Sequence, residues 1–233
     1  LVKSGLTDTT YVEESPNSKS KFNNYYKIQA ANAETESEFS DISSLEISMF
    51  GENTYVFNET DDPEKIQEAT QSIFVKQRYN QFGKNRYALA YKPGNYVDAG
   101  MVNVGYYTYI HGLGKTPADT QLYNVNTPSA LSGNNATCNF WVGIENVQIE
   151  DVENNNGDVN AWFQWGVSQA APARRLNVLR KAHFQWLWDG WCSGGYIADC
   201  KFVKQVGSYS QQQYYYRNSE FDSTIVEEGG KQG

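Results

Sequence analysis

Asn146-Val-Gln-Ile149, Leu176-Asn-Val-Leu179, Asp199-Cys-Lys-Phe202 and Asn218-Ser-Glu-Phe221 are four short phrases that superpose, each closing on a large apolar residue. Their anchors, Ile149, Leu179, Phe202 and Phe221, are spaced by 30, 23 and 19 residues, with Gly-, Ser-, Gln- and Asn-rich segments between them. A repeat of that size signals stacked units, each too small to bury its apolar face alone. The phrases have the length and pattern of strands, so a parallel β-helix accounts for them better than helical repeats. The expected fold is all-β.

Working outward, Asp62-Pro63 places a capping side chain before a proline at the first helical position. Ile66, Ala69, Ile73 and Phe74 follow at helical spacing through about Tyr79. An amphipathic helix there is expected to cover the open end of the first coil, over residues 64–79, because an exposed sheet edge invites aggregation. Strands are expected at 53–57, 87–91, 102–111, 121–125, 139–149 and 162–167. The domains read as 1–48, then a β-helix over 50–226, then an acidic, Gly-rich tail at 227–233. The chain opens at Leu1 without an initiator Met and is expected to be processed or cut from a longer one.

The net charge is −8 with the acids dispersed, which argues against nucleic acid or anionic lipid as partner. No apolar run reaches the roughly 20 residues a membrane span requires. Abundant Tyr and scarce Met suit a β-rich secreted protein. Two sequons, Asn58-Glu-Thr60 and Asn135-Ala-Thr137, permit N-glycosylation if the chain enters a secretory pathway. Among three cysteines, Cys192 and Cys200 can form a disulfide between neighbouring coils if their Cα atoms fall within about 7 Å; the alternative is three buried thiols.

The motifs at 86–91, Lys92-Pro-Gly94, His111-Gly-Leu-Gly114, Ser168-Gln-Ala-Ala171, Gly194-Gly-Tyr-Ile-Ala-Asp199 and Ser210-Gln-Gln-Gln213 carry a resemblance. Over about residues 50–222 the chain resembles the N-terminal part of secreted, right-handed parallel β-helix proteins of the pectate-lyase-like superfamily. Glycoside hydrolases, β-1,3- and α-1,3-glucanases among them, share that architecture. Ala30-Ala31-Asn32 and Glu36-Ser37 resemble the last strands of a fibronectin type III domain, an Ig-like β-sandwich. The resemblance implies a carbohydrate-active protein with a polysaccharide or glycan as partner.

Glycoside cleavage needs two carboxyl groups, about 5–5.5 Å apart for retention and about 6.5–9.5 Å for inversion. Coils stack at about 4.8 Å, and Asp199 with Glu220 or Asp222 falls near equivalent positions of successive coils, so these are the candidate catalytic acids. Trp186-Leu-Trp-Asp-Gly-Trp191 is the densest aromatic cluster. Trp186, Trp188 and Trp191 can stack on sugar rings, and Asp189 among them would have its pKa raised by desolvation, as a general acid requires. The same indoles can equally fill a solenoid interior. Arg174 can pair with an acidic sugar, and alternation would send Arg174 and Arg175 to opposite faces. His111 and His183 lack metal-ligand spacing, and neither a metal nor another cofactor is expected. The favoured function is a secreted glycan-binding or glycan-degrading module. The rival is a self-associating subunit of an extracellular filament, sheath or appendage, without chemistry.

Overall fold

The computed structural model describes residues 24–26, 29–31, 34–38, 43–45, 51–152, 161–185, 191–208, 213–221 and 225–226. The chain divides into two compact units, Leu1–Glu52 and Asn53–Gly233. The first contains an antiparallel pair, β1 (Asn24–Tyr26) and β2 (Ser43–Leu45), with Asn24 opposite Leu45.

The second unit is a right-handed parallel β-helix. It opens with β3 (Thr54–Phe57) and α1 (Pro63–Gln77), and continues with the long strands β4 (Tyr87–Tyr91), β5 (Gly94–Asn103), β6 (Thr108–Gly112) and β7 (Thr120–Asn126). Each later coil carries three short strands: β8 (Gly143–Glu145), β9 (Gln148–Ile149) and β10 (Phe163–Gln164), then β11 (Pro172–Arg174), β12 (Asn177–Val178) and β13 (Ala182–His183). After them come β14 (Tyr196–Ala198), β15 (Lys201–Phe202) and β16 (Val206–Gly207), and last β17 (Tyr215–Arg217), β18 (Glu220–Phe221) and β19 (Ile225–Val226). The first wall of the solenoid runs β3-β4-β6-β8-β11-β14-β17. The other two walls join at β5 and β7, which pass round a corner unbroken. Gln121 and Leu122 of β7 pair with β9, whereas its Asn126 pairs with β10. The expected single strand at 139–149 is thus two strands on two walls, and that at 102–111 is the end of β5 followed by β6.

Side chains stacked in register from coil to coil fill the interior. Leu89, Ile110, Ile144, Ala173 and Ile197 stack beneath the first wall, and Tyr96, Leu122, Ile149, Val178 and Phe202 beneath the second. Each fully buried Leu, Ile, Val or Phe contributes about 1.5–3 kcal/mol, so the stack is the principal source of stability. The inward anchors Ile149, Phe202 and Phe221 are as expected; Phe202 and Phe221 stack at 5.2 Å and 4°. Leu179 is a correction. The pairing partner of Ile149 is Val178, and Leu179 is only half-buried. The matching phrase is therefore Arg175-Leu-Asn-Val178, one residue earlier, a slip that turns every side chain to the other face.

Two rows of left-handed backbone bracket the first wall. Ahead of it lie Tyr107, Trp141, Ala170, Gly194 and Gln213, and behind it Asn146, Arg175, Asp199 and Asn218, all at positive φ. In the last four coils the rows are always five residues apart: 141 and 146, 170 and 175, 194 and 199, 213 and 218. A left-handed conformation costs an ordinary residue about 1–2 kcal/mol, and Asn and Asp less. The rear row is mostly Asn and Asp, and it is tied coil to coil. Asn146 Nδ2 donates to the carbonyls of Gly112 and Gly114 at 2.8 and 2.7 Å, and Asn218 Nδ2 donates to Asp199 Oδ1 at 2.8 Å.

Helix α1 forms where the sequence places it, starting with an Asp62 side chain that accepts from Glu64 N at 3.0 Å. It ends at Gln77, two residues before the expected Tyr79. Its last residue is the fastening point. Gln77 Nε2 donates to Tyr106 O at 2.6 Å, and Tyr106 N donates to Gln77 O at 3.1 Å. Gly105 makes this approach possible, since a Cβ there would lie 2.7 Å from the Gln77 carbonyl carbon. The helix end therefore anchors the chain immediately before Tyr107. Among the described residues no helix is long and apolar enough to cross a membrane.

Candidate functional site

An open cleft of about 550 Å³ lies at the front edge of the first wall, lined by Arg86, Tyr87, Tyr107, Tyr109, Trp141 and Ala170. Tyr107 and Trp141 occupy successive positions of the front corner row, and their rings stack at 5.1 Å and 13°. Both are bulky residues at positive φ (57° and 52°), a conformation that persists only when its surroundings over-determine it. Those surroundings are visible. Tyr107 OH donates to Gln81 O at 2.7 Å, Tyr107 O accepts from Tyr87 N at 2.9 Å, and the Arg86 guanidinium lies 3.4 Å over the Tyr107 ring. Trp141 also meets Phe140 edge-on at 5.5 Å. It remains 46% exposed, so an indole face stays available to a ligand.

Beside the aromatic pair runs an outward polar row. Strand alternation and register put His111, Glu145 and Arg174 on successive coils. Tyr109 stacks on His111 at 4.9 Å and 16°, and its ring lies over Gly143, where a Cβ would come within 2.1 Å of it. Burial pushes the Tyr109 hydroxyl pKa up, the Glu145 carboxylate pushes it further, and Arg174 opposes both. Burial lowers the His111 pKa, with Glu145 acting the other way. Arg174 and Glu145 form an ion pair at 3.8 Å with both side chains partly exposed, an arrangement worth at most about 1 kcal/mol. The pair leaves further lone pairs and N–H groups facing solvent, which suits hydroxyl recognition.

The residues expected from the sequence fall elsewhere. Asp199 and Glu220 do not occupy equivalent positions: Asp199 aligns with Asn218, and Glu220 pairs with Lys201, its carboxylate 3.7 Å from the Lys201 ammonium. Asp199 belongs to the rear corner, where its carboxylate accepts from Asn218. Asp189, Asp222, Trp186 and Trp188 lie outside the described residues; Trp191 is described and about half exposed. Arg174 faces outward as expected, but Arg175 does not point inward, because it forms the corner.

The expected disulfide is also corrected, since Cys138, Cys192 and Cys200 are all free. Cys192 precedes the front corner and Cys200 follows the rear one. The intervening five-residue run spans roughly 16 Å at strand rise, well beyond the Cα separation of about 4.4–6.8 Å that a disulfide allows. The Cys200 thiol instead faces the Ala198 and Ala173 carbonyls at 3.2 and 3.6 Å, and burial pushes its pKa up to about 12. Among the described residues no three His, Cys, Asp or Glu side chains converge as a metal site. Asn58 and Asn135 are both half-buried, and Asn135 Oδ1 accepts from Thr137 Oγ1 at 2.7 Å.

Tyr107, Tyr109, Trp141 and Glu145 were not singled out by the sequence, and His111 was weighed only as a metal ligand and set aside. The readable signal was the coil register: positions 107 and 141 become neighbours only once Tyr109 is paired with Gly143.

No protein-family model matches the chain. The chain is 44% identical over 170 residues to an exo-β-1,3-glucanase of Streptomyces sp. (strain SirexAA-E / ActE), covering 72% of this chain and 26% of that protein. The solved structure of sacteLam55A from Streptomyces sp. SirexAA-E matches 74% of this chain and 30% of that one, at 42% identity and a TM-score of 0.66. A structure of a sacteLam55A variant in complex with glucose matches over the same shares, at 43% identity and a TM-score of 0.67. These matches correct the pectate-lyase-like and fibronectin type III assignments: the relative is an exo-β-1,3-glucanase, and this chain spans about a quarter of its length.

Proposed function

We propose that the β-helix is a glycan-contacting module of a secreted protein that degrades β-1,3-glucan, and that the cleft at Tyr107 and Trp141 receives a sugar ring. The observation that carries this reading is the stacked aromatic pair, with Trp141 exposed, held in left-handed backbone on both residues. An aromatic face packs against the apolar face of a pyranose while neighbouring polar groups take its hydroxyls. Arg86 and the His111, Glu145 and Arg174 row supply those groups. Similarity to a protein described as an exo-β-1,3-glucanase, and to a structure described as a complex with glucose, supports the choice of sugar. Among the described residues, Glu145 is the one carboxylate on the outward side of the first wall, whereas glycoside cleavage requires two. Contact with the chain, rather than both halves of acid–base chemistry, is therefore the role assigned to this wall. The reading carries an extracellular address, with Asn58 and Asn135 as acceptors where N-glycosylation operates.

Calorimetric titration with β-1,3-gluco-oligosaccharides tests the proposal. Trp141→Ala should weaken binding about tenfold or more, since a stacking platform is worth about 1–3 kcal/mol by analogy with base stacking. A variant that binds as tightly as the parent, or a parent that binds β-1,3-glucan no better than an α-1,4-glucan, would sink the assignment.

A further inference from the structure

The outward row through Tyr109 does not stop at the cleft. By register Tyr109 is followed by Gly143, Pro172, Tyr196 and Tyr215 on successive coils. The row is therefore aromatic at both ends and small or flat in the middle. Tyr196 and Tyr215 stack at 5.8 Å and 7°, Tyr215 is 59% exposed, and Arg217 of the adjoining polar row lies close enough to Tyr196 that the phenol raises its pKa. Between the two aromatic ends the front corner shrinks to Ala170 and then Gly194, so no bulky side chain of that row interrupts the track. On its other side lie Glu145, Arg174 and Arg217. From the coil of Trp141 to that of Tyr215 is three coil steps, about 14 Å.

We infer that Tyr196 and Tyr215, with Arg217, form a second sugar-stacking platform on the same wall, so that one β-1,3-glucan chain lies along the β-helix axis and touches both platforms. The inference rests on the cleft reading above and adds to it a length preference. The chemistry is the same at both ends: a pair of near-parallel rings with a guanidinium beside it. A linear occupant is required because the two platforms share one straight track rather than facing one another across a pocket. Two modest sites joined by a ligand that reaches both give an affinity that grows with ligand length.

The test uses the full chain and unbranched β-1,3-gluco-oligosaccharides from the disaccharide to the heptasaccharide. Parent affinity should keep rising beyond the trisaccharide. Tyr215→Ala should cost about tenfold for the longest oligosaccharide while leaving the disaccharide unchanged, and Trp141→Ala should weaken every length. Tyr215→Phe, which keeps the ring stack, should bind as the parent does, which separates loss of the platform from loss of the fold. Affinity that levels off at the trisaccharide, or a Tyr215→Ala loss equal at all lengths, overturns the second platform and leaves the first standing. Absence of binding at any length overturns both.

Discussion

The front and rear corners of the first wall share a backbone conformation and differ in everything built upon it. The rear row, Asn146, Arg175, Asp199 and Asn218, uses mostly residues that tolerate positive φ, and their side chains reach for neighbouring coils. The front row sets Tyr107, Trp141, Ala170, Gly194 and Gln213 in the same conformation, and its two aromatic members stack on each other, with Trp141 open to solvent. Strain held in place by neighbouring contacts, beside an open cleft, is the kind of feature that clusters at ligand-binding sites. The rear corner holds the stack together, and the front corner presents it.

The largest effect expected is at the rear corner. A Cβ at Gly112 would lie 1.9 Å from the Asn146 carbonyl oxygen, a clash with backbone that no rotamer change relieves. Gly112→Ala should lower the unfolding free energy by about 3 kcal/mol or more, read by urea denaturation. Parental stability in that variant would mean the corners do not depend on close backbone approach.

A second comparison sets Asn146→Ala against Trp141→Gly. The first loses two hydrogen bonds, each worth about 1 kcal/mol net, and leaves alanine in a left-handed conformation, for a total of about 2–3 kcal/mol. In the second, relief of strain offsets lost stacking, so stability should change by no more than about 1 kcal/mol while glucan binding falls. Equal losses of stability would erase the division of labour between the corners.

The smallest effect is at Arg175, the one rear-row residue in these four coils with no preference for its backbone. Arg175→Asn gives up a 3.3 Å hydrogen bond to Lys115 O and should gain about 0.5 kcal/mol, visible as a slight rise in melting temperature. A loss instead would show that the guanidinium contact outweighs the backbone strain.

Arg175 also explains where the sequence misleads. Asn146, Asp199 and Asn218 announce their corners, and the anchors behind them, Ile149, Phe202 and Phe221, are legible. Arginine announces nothing, so the apolar residues around it allow either of two registers, and Leu179 fits the pattern as well as Val178 does. The helix is legible because Asp62 and Pro63 are local signals. The cleft is not, because its residues belong to different coils; Tyr107 and Trp141 meet only through a register that is itself set by the buried stack. Sequence density favours the Trp186–Trp191 cluster instead, because adjacency in the chain is the only proximity a sequence displays.

The constant interval between the two corner rows has a consequence for how such a chain can change. From Asn146 to Ala170, Arg175 to Gly194 and Asp199 to Gln213 the chain runs 24, 19 and 14 residues, while each crossing of the first wall stays at five. Length variation is confined to the remaining perimeter. Insertions, deletions or grafted loops there leave the spacing of the outward positions of the first wall untouched, much as a ruler keeps its graduations whatever is hung from its other edge. A library of loop lengths at those two walls should therefore diversify the periphery of the domain while the ligand track keeps its geometry.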